Sequence, residues 1–384
     1  VERAAMPKVR LPGTHRAVAP ETTWARLKPR LRRYGITRVA DVTRLDNIGV
    51  PVFLAVRPDS ETLAVTQGKG ASPLLAKLSA VMESIELWHA ERPPLDAFTA
   101  PPASLELPYS VRDLNLRVAE DWIEELALPW VWGRSLADDR PVPVPLDLVR
   151  LSYSGEHFWH PRIFETSSTG LASGNTFAEA CLHGIYEVVE RDVLAAHPSR
   201  TDPVRVRVNP ATIHSAHLRS LIRHLTDAGV EFEIMCIPNR FGIPTFAAFV
   251  WSALFPIVCA GSGTHLDADV ALSRALTEAV QSRLTEISAT RDDIPSDQDT
   301  TRDASTDPGF GAHAEGLSFE EALRGHGSSY DDMEHELAFV VRRMTDSTGH
   351  APVVVELSEE SEPFSVVRVV CPGFSYAEGR TLTP

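Results

Sequence analysis

The sequence predicts an α/β (α+β) fold in which units of helix, three strands, glycine loop and helix repeat around one central polar cavity. Three observations point there. First, short Val- and Ile-rich runs bounded by turn residues alternate with longer segments of helical period. Second, Gly35, Gly49, Pro51, Gly68 and Gly70 are matched in order, at a near-constant offset, by Gly229, Gly242, Pro244, Gly261 and Gly263. Ordered matches at one spacing indicate two copies of one supersecondary unit, here residues 22–91 and 215–286. Third, three helices each follow a glycine-containing loop and carry a polar stripe at i, i+4 and i+7. The stripes are Ser79/Glu83/Glu86, His183/Glu187/Glu190 and Arg274/Glu278/Gln281. One polar stripe on an amphipathic helix signifies little. Three of them, on helices otherwise rich in Ala, Leu, Val and Ile, direct buried polar faces to a common cavity rather than to three separate solvated surfaces.

The 384 residues are 43% hydrophobic and 23% charged, ample for a buried core, and are read as one domain. A formal charge of −15 excludes a general nucleic-acid or anionic-membrane binder and leaves room for a local basic pocket. Cys181, Cys236, Cys259 and Cys371 are scattered in apolar runs. They have neither zinc spacing nor a disulfide framework, which points to a reducing cytoplasm. No signal peptide, lipidation motif or membrane-length apolar run is visible. Val1 in place of Met allows a true start at Met6.

In chain order, residues 1–20 read as an irregular arm, and 21–34 as a basic helix stopped by Gly35. Residues 36–42, 50–56 and 62–66 read as strands. The third runs into a glycine loop, Gln67-Gly68-Lys69-Gly70, after which Ser72 and Pro73 open a helix reaching Glu91. Residues 93–165 are proline-rich and read as a connecting scaffold, with an aromatic patch (Trp122, Trp130, Trp132) and a helix near 113–126. Residues 169–192 read as a tight loop of small residues feeding a helix capped by Asn175 or Thr176. Along that helix Glu179, His183, Glu187 and Glu190 share one stripe. A strand at 204–208 and a helix at 214–228 lead into the second unit, whose last helix takes Asp267 as its cap. Residues 292–314 read as a mobile acidic loop with Arg291 and Asp292 at its root. A helix at 333–346 and strands at 353–357 and 365–370 follow.

Six stripe carboxylates, Glu83, Glu86, Glu179, Glu187, Glu190 and Glu278, would repel one another if buried without cations. Hard divalent cations bridging a polyphosphate answer that need. Arg191 and Arg274 can clamp the same phosphate oxygens, and Lys69 and the amides of two glycine loops can approach them. Gln281 completes the third stripe. Catalysis at such a site is positioning and charge neutralisation during phosphoryl transfer. The QGKG run lacks Walker spacing, and neither a kinase-like catalytic loop nor a Ser/His/Asp triad can be read. Taken singly, the features have plainer readings: a solvated acidic face closed by Arg191, a turn lysine at Lys69 and a core histidine at His183.

The runs RLDNIGVPVFLAVRP, LAVTQGKG and SAVMESIELWHAE resemble the N-terminal part of YcaO proteins. GLASGNTFAEACLHGIYEVVERD and ALSRALTEAVQSR, with SATRDD after it, resemble that family's other two signatures. The likeness extends from about Gly13 to Gly373. It implies a YcaO-like fold of repeated units around an ATP site unlike that of other kinases. It also implies Mg held by Glu83 and Glu86 on one helix and by Glu179 and Glu190 on another. Ser79, Asn175, Arg191, Arg274 and Glu278 match positions that line the nucleotide, as does Arg16 in the arm. Spacing adds Glu187 to the metal set, and Lys69 and Gln281 to the ATP set.

The family's biosynthetic members spend ATP on phosphorylating a backbone amide oxygen of a ribosomal precursor peptide, an oxygen that is otherwise a poor leaving group. A neighbouring Cys, Ser or Thr then yields an azoline, an amine yields an amidine macrocycle, and sulfide yields a thioamide, often with a TfuA-type partner protein. Many azoline-forming members end in a PxPxP tail, whereas this chain ends GRTLTP, and no peptide-recognition or E1-like domain precedes the resemblance. The run GTHRAVAPETTWARLKPRLRRYGITRVADVT looks most like partner-associated and stand-alone members. The favoured expectation is therefore thioamide formation. A cyclodehydratase is the alternative, and an ATP-binding accessory factor for protein modification is a reading from another class. A homodimer is left open.

Overall fold

The computed structural model describes residues 7–118, 120–152, 162–290, 309–310 and 313–375. The N-terminal arm is a hairpin rather than an irregular segment: β1 (Val9–Leu11) and β2 (Thr14–Arg16) pair antiparallel. Gly13 makes the turn at φ 70°, and a Cβ there would meet Ser273 Oγ at 2.2 Å, so only glycine seats the hairpin tip. α1 (Pro20–Leu27) continues as a 3-10 helix to Tyr34, since Pro29 has no N–H to extend the α-helical ladder. Gly35 ends it in the left-handed region.

β3 (Arg38–Asp41), β4 (Val52–Val56) and β5 (Val65–Lys69) form an antiparallel sheet, with α2 (Pro73–Glu91) laid across it. Next come β6 (Phe98–Ala100), β7 (Leu128–Ser135), β8 (Pro141–Pro145), β9 (Leu171–Gly174) and α3 (Phe177–Ala196). β10 (Val206–Arg207), α4 (Ala216–Asp227), β11 (Glu231–Cys236), β12 (Thr245–Ser252), β13 (Phe255–Thr264) and α5 (Ala268–Ser288) follow. The chain closes with α6 (Phe319–Leu323), α7 (Met333–Thr348), β14 (Val353–Glu356) and β15 (Ser365–Val370). β10 to β13 make a second antiparallel sheet carrying α5, and within it β11, β12, β13 and α5 follow the element order of β3, β4, β5 and α2. The third and largest sheet runs β6-β7-β14-β15-β9, with β8 also on β7, and α3 packs on its β9–β15 end. Three apolar clusters fill the spaces, centred on residues such as Ile85, Val188 and Leu276.

The expected glycine loops are strands. Gln67, Gly68 and Lys69 lie inside β5, Ser173 and Gly174 inside β9, and Gly261 and Gly263 inside β13. A Cβ on Gly68 would come within 2.0 Å of Ala80 N, on Gly174 within 2.4 Å of Ala180 N, and on Gly261 within 2.2 Å of Ala279 N. These glycines let a helix backbone rest directly on the strand before it, and are not spent on a phosphate-cradling loop. The helix expected at 113–126 is also absent. Two 3-10 turns, Val111–Asp113 and Asp121–Glu125, stand there. Arg117 N donates to Ile163 O, and Asn115 O accepts from Glu165 N, each at 2.8 Å, so this segment pairs with 163–165 instead of coiling. Trp130 is buried and donates to Ala100 O at 2.9 Å, while Trp122 and Trp132 are exposed. The acidic loop expected at 292–314 falls largely outside the described residues, as do Arg291, Asp292 and the GRTLTP end. Among the described residues no helix is long and apolar enough to cross a membrane.

Candidate active site

The helices α2, α3 and α5 start at side-chain caps: Ser72 accepts from Leu75 N, Thr176 from Glu179 N and Asp267 from Asp269 N. The capping box suggested by Thr176 and Glu179 is only half made. Glu179 uses its carboxylate elsewhere, accepting from Ala17 N at 2.9 Å and, through both oxygens, from Asn175 Nδ2 at 3.1 and 3.2 Å. Arg16 Nε stands 3.6 Å from the same carboxylate, and Thr23 fixes Asn175 by donating to its Oδ1 at 2.7 Å. The N-terminal hairpin thus delivers Arg16 to the first turn of α3.

Along the stripes, contacts cross from one unit to another. On α2, Ser79 and Glu83 are half-buried and Glu86 is buried, where it accepts from Ser173 of β9. Burial pushes the Glu86 carboxyl up to about 8, and the charges of Glu83 and Glu187 push the same way. On α3, Glu187 accepts from Gly170 N at 3.2 Å and lies 3.9 Å from Arg191. Burial raises its carboxyl too, against the pull of Arg191, Arg368 and Arg274. Glu190 accepts from Ser262 of β13 at 2.8 Å and is raised by burial and by Glu278. On α5, Glu278 meets Lys69 of β5 at 2.8 Å. Burial opposes its ionisation, yet Lys69, Arg191 and Arg274 hold it below the usual carboxylate range. The predicted lysine is therefore in the basin, paired with a predicted carboxylate. Gln281 is turned aside: its amide donates to Gln67 O at 3.0 Å and ties α5 to the edge of the first sheet.

The charges of Arg191 and Arg274 act on Glu187, Glu190 and Glu278, and the Nε of each arginine is buried without a hydrogen-bond partner among the described residues. Such donors are costly to leave unmade. Arg274 also acts on His183, which burial and the neighbouring arginines keep neutral. Among the described residues no three His, Cys, Asp or Glu side chains stand close enough to form a metal-binding group. Five of the six carboxylates, Glu86, Glu187, Glu190, Glu278 and Glu179, are instead held at their own stations by Ser173, Gly170, Ser262, Lys69 and Asn175 in turn. That spread suits Mg2+, which prefers one or two carboxylates with phosphate oxygens and water over an all-protein cage. Raised carboxyl groups and unpartnered guanidinium nitrogens fit cations and anions arriving together.

Several contributors were not anticipated. Ser262 lies between Gly261 and Gly263 just as Lys69 lies between Gly68 and Gly70, so the internal match already pointed to it. Ser173 stood inside the small-residue run. A second group left no local signal: Glu336 of α7 accepts from Tyr186 of α3 at 2.7 Å, pairs with Lys8, and lies 3.8 Å from His265. Its members come from four distant segments.

A family model described as YcaO cyclodehydratase, ATP- and Mg2+-binding, matches residues 67–375. An uncharacterized protein of Mycobacterium tuberculosis is 44% identical over 287 residues, which cover 74% of this chain and 65% of that one. A protein named for its place in the tfuA 3′ region of Rhizobium leguminosarum bv. trifolii is 36% identical over 375 residues, covering 93% and 88%. Among solved structures, the YcaO from Methanopyrus kandleri bound with AMPPCP and Mg2+ matches with a TM-score of 0.71 and 22% identity, over 96% and 95% of the two chains. A heterocyclase in complex with substrate and cofactor matches with a TM-score of 0.75 and 20% identity, over 99% of this chain and 56% of that one. The fold is shared with both. The chain spans just under two thirds of the mycobacterial relative's length.

Proposed function

Since the chain belongs to the YcaO family, we propose that it uses ATP and Mg2+ to phosphorylate a backbone amide oxygen of a ribosomally made precursor peptide, so that a nucleophile can replace that oxygen. The observation that carries this reading is the set of buried Glu86 and Glu190 with half-buried Glu187, all driven toward the neutral form, beside Arg191 and Arg274 with unpartnered Nε atoms. Glu83, Glu86, Glu179, Glu187 and Glu190 would hold Mg2+, which neutralises phosphate charge when bound. Arg191 and Arg274 donate to phosphate oxygens, and Lys69 exchanges Glu278 for the same oxygens. Ser79, Asn175, Glu278 and Arg16 line the nucleotide, while Gln281 sets the wall through its bond to Gln67. The decisive test is Glu83→Gln and Glu190→Gln in the purified chain. Each should abolish Mg2+-dependent ATP consumption while preserving the melting transition; unchanged turnover in both removes the proposal.

The favoured product is a thioamide. Support comes from the relative named for its position beside tfuA, similar over nearly the whole of both chains. The description of the matching family model instead favours a cyclodehydratase, forming an azoline or amidine. The two reactions change peptide mass with opposite signs, because sulfur for oxygen adds mass and cyclisation removes water. Intact-mass measurement with ATP, Mg2+, peptide, a TfuA-type partner and sulfide should show a heavier peptide. Loss of water that proceeds equally without sulfide assigns the chain to cyclodehydration.

A further inference from the structure

The basic run of α1 and its 3-10 extension takes no part in the phosphoryl transfer described above. Between Thr22 and Ala40 the chain carries six cations, Arg26, Lys28, Arg30, Arg32, Arg33 and Arg38, and no Asp or Glu, in a molecule of formal charge −15. Arg30 is half-buried and the other five are exposed. Arg33 faces Glu359 and Glu362 at 3.6 and 3.7 Å, and Arg30 donates to Arg26 O at 2.7 Å. Arg26, Lys28, Arg32 and Arg38 have no carboxylate within ion-pair distance among the described residues. From Arg26 to Arg33, five like charges share eight residues of helix and repel one another. Such a face is complementary to an anionic partner.

Its position narrows the choice of partner. Three residues before Arg26, Thr23 donates to Asn175 Oδ1 at 2.7 Å, and before α1 the Ala17 amide donates to Glu179 at 2.9 Å. The helix therefore starts on the wall of the carboxylate basin and leads its cations away from it. From Thr23 to Arg32 it advances roughly 15 Å, the reach of about five extended residues. That is farther than the phosphates of a nucleotide seated in the basin extend, and it is a span that a peptide chain bridges.

We propose that this face holds an acidic stretch of the peptide substrate, its carboxylates on Arg26, Lys28 and Arg32 and its reacting amide about five residues away in the basin. The assignment rests on the amide-phosphorylation reading above and deepens it, by giving the substrate a charge and a spacing. Exposed ion pairs are individually weak and are screened by salt. A row of them makes a tether that salt loosens.

The test titrates the full chain into a dye-labelled decaglutamate peptide and reads fluorescence anisotropy. Saturable binding that weakens with added salt is expected. The triple variant Arg26→Gln, Lys28→Gln, Arg32→Gln should bind about tenfold more weakly or worse. A control of equal net charge, Arg140→Gln, Arg219→Gln, Arg342→Gln, changes three exposed arginines elsewhere and should bind as the parent does. Of the four lysines only Lys28 is exposed, so carbodiimide coupling of carboxylate to amine should join the peptide to Lys28. Equal affinity in the parent and the triple variant, or coupling that spares Lys28, overturns the docking face. A thymidine decanucleotide that binds as tightly through the same three residues makes the face a general polyanion surface and overturns the peptide assignment. The triple variant should keep the parent's KM for ATP. Unchanged ATP consumption in Glu83→Gln and Glu190→Gln retires phosphorylation while decaglutamate binding still decides the docking face, so the two failures are told apart.

Discussion

Glu86 concentrates the physical problem of the site in one side chain. Its carboxyl is pushed up to about 8 by burial and by two neighbouring glutamates, while Ser173 supplies one hydrogen bond. A group raised in this way binds its proton more tightly in the folded chain than in the unfolded one. Between about 4.5 and 8 the folded state thus carries more proton than the unfolded state, and its stability falls as pH rises. The metal-free protein should accordingly melt at lower temperature at pH 8 than at pH 5.5 by this contribution, and Mg2+ with nucleotide should restore the loss. Glu86→Gln should flatten the slope. Thermal melts across that range, with and without Mg2+, measure both effects. A slope unaltered by Glu86→Gln would place the titrating group elsewhere.

Helix by helix, the sequence was most legible where local chemistry decides the outcome. Ser72, Thr176 and Asp267 cap α2, α3 and α5, and the stripes on those helices do meet across unit boundaries through Glu190, Ser262, Glu278 and Lys69. Reading failed where distant backbone competes. The QGKG run has loop composition, but its glycines serve the close approach of α2, which no local pattern reveals. The Tyr186, His265, Glu336 and Lys8 cluster draws on segments too far apart for any spacing rule. Gly68 and Gly261 occupy matching places against α2 and α5, and we propose that the two units are structural copies. On that view Gly68→Ala and Gly261→Ala should each destabilise by a similar amount, about 2–4 kcal/mol, because each new methyl meets helix backbone that cannot step aside. Urea unfolding of the two variants measures this; one tolerated and one severe change would break the equivalence.

Across the whole molecule, the site is bounded by parts that lie far apart in the chain. The hairpin brings Arg16 and the Ala17 amide to Glu179, and Lys8 anchors it to Glu336 on α7. Removing the first 18 residues should therefore leave the three sheets able to form while weakening ATP binding well beyond the loss of Arg16 alone. Comparison of ATP affinity between that truncation and Arg16→Ala checks it, and equal affinities would reduce the hairpin to a carrier of one guanidinium. The β9–β15 pairing has a further consequence in time. β9 holds Ser173 and launches α3, yet among the described residues its only ladder is to β15, where Gly174 faces Ser365. A chain emerging from the ribosome must keep β9 and its helix waiting through nearly two hundred residues before that ladder can close, and pairing over such separations is slow. During synthesis the growing polypeptide therefore exposes an unzipped β9 edge until β15 has emerged.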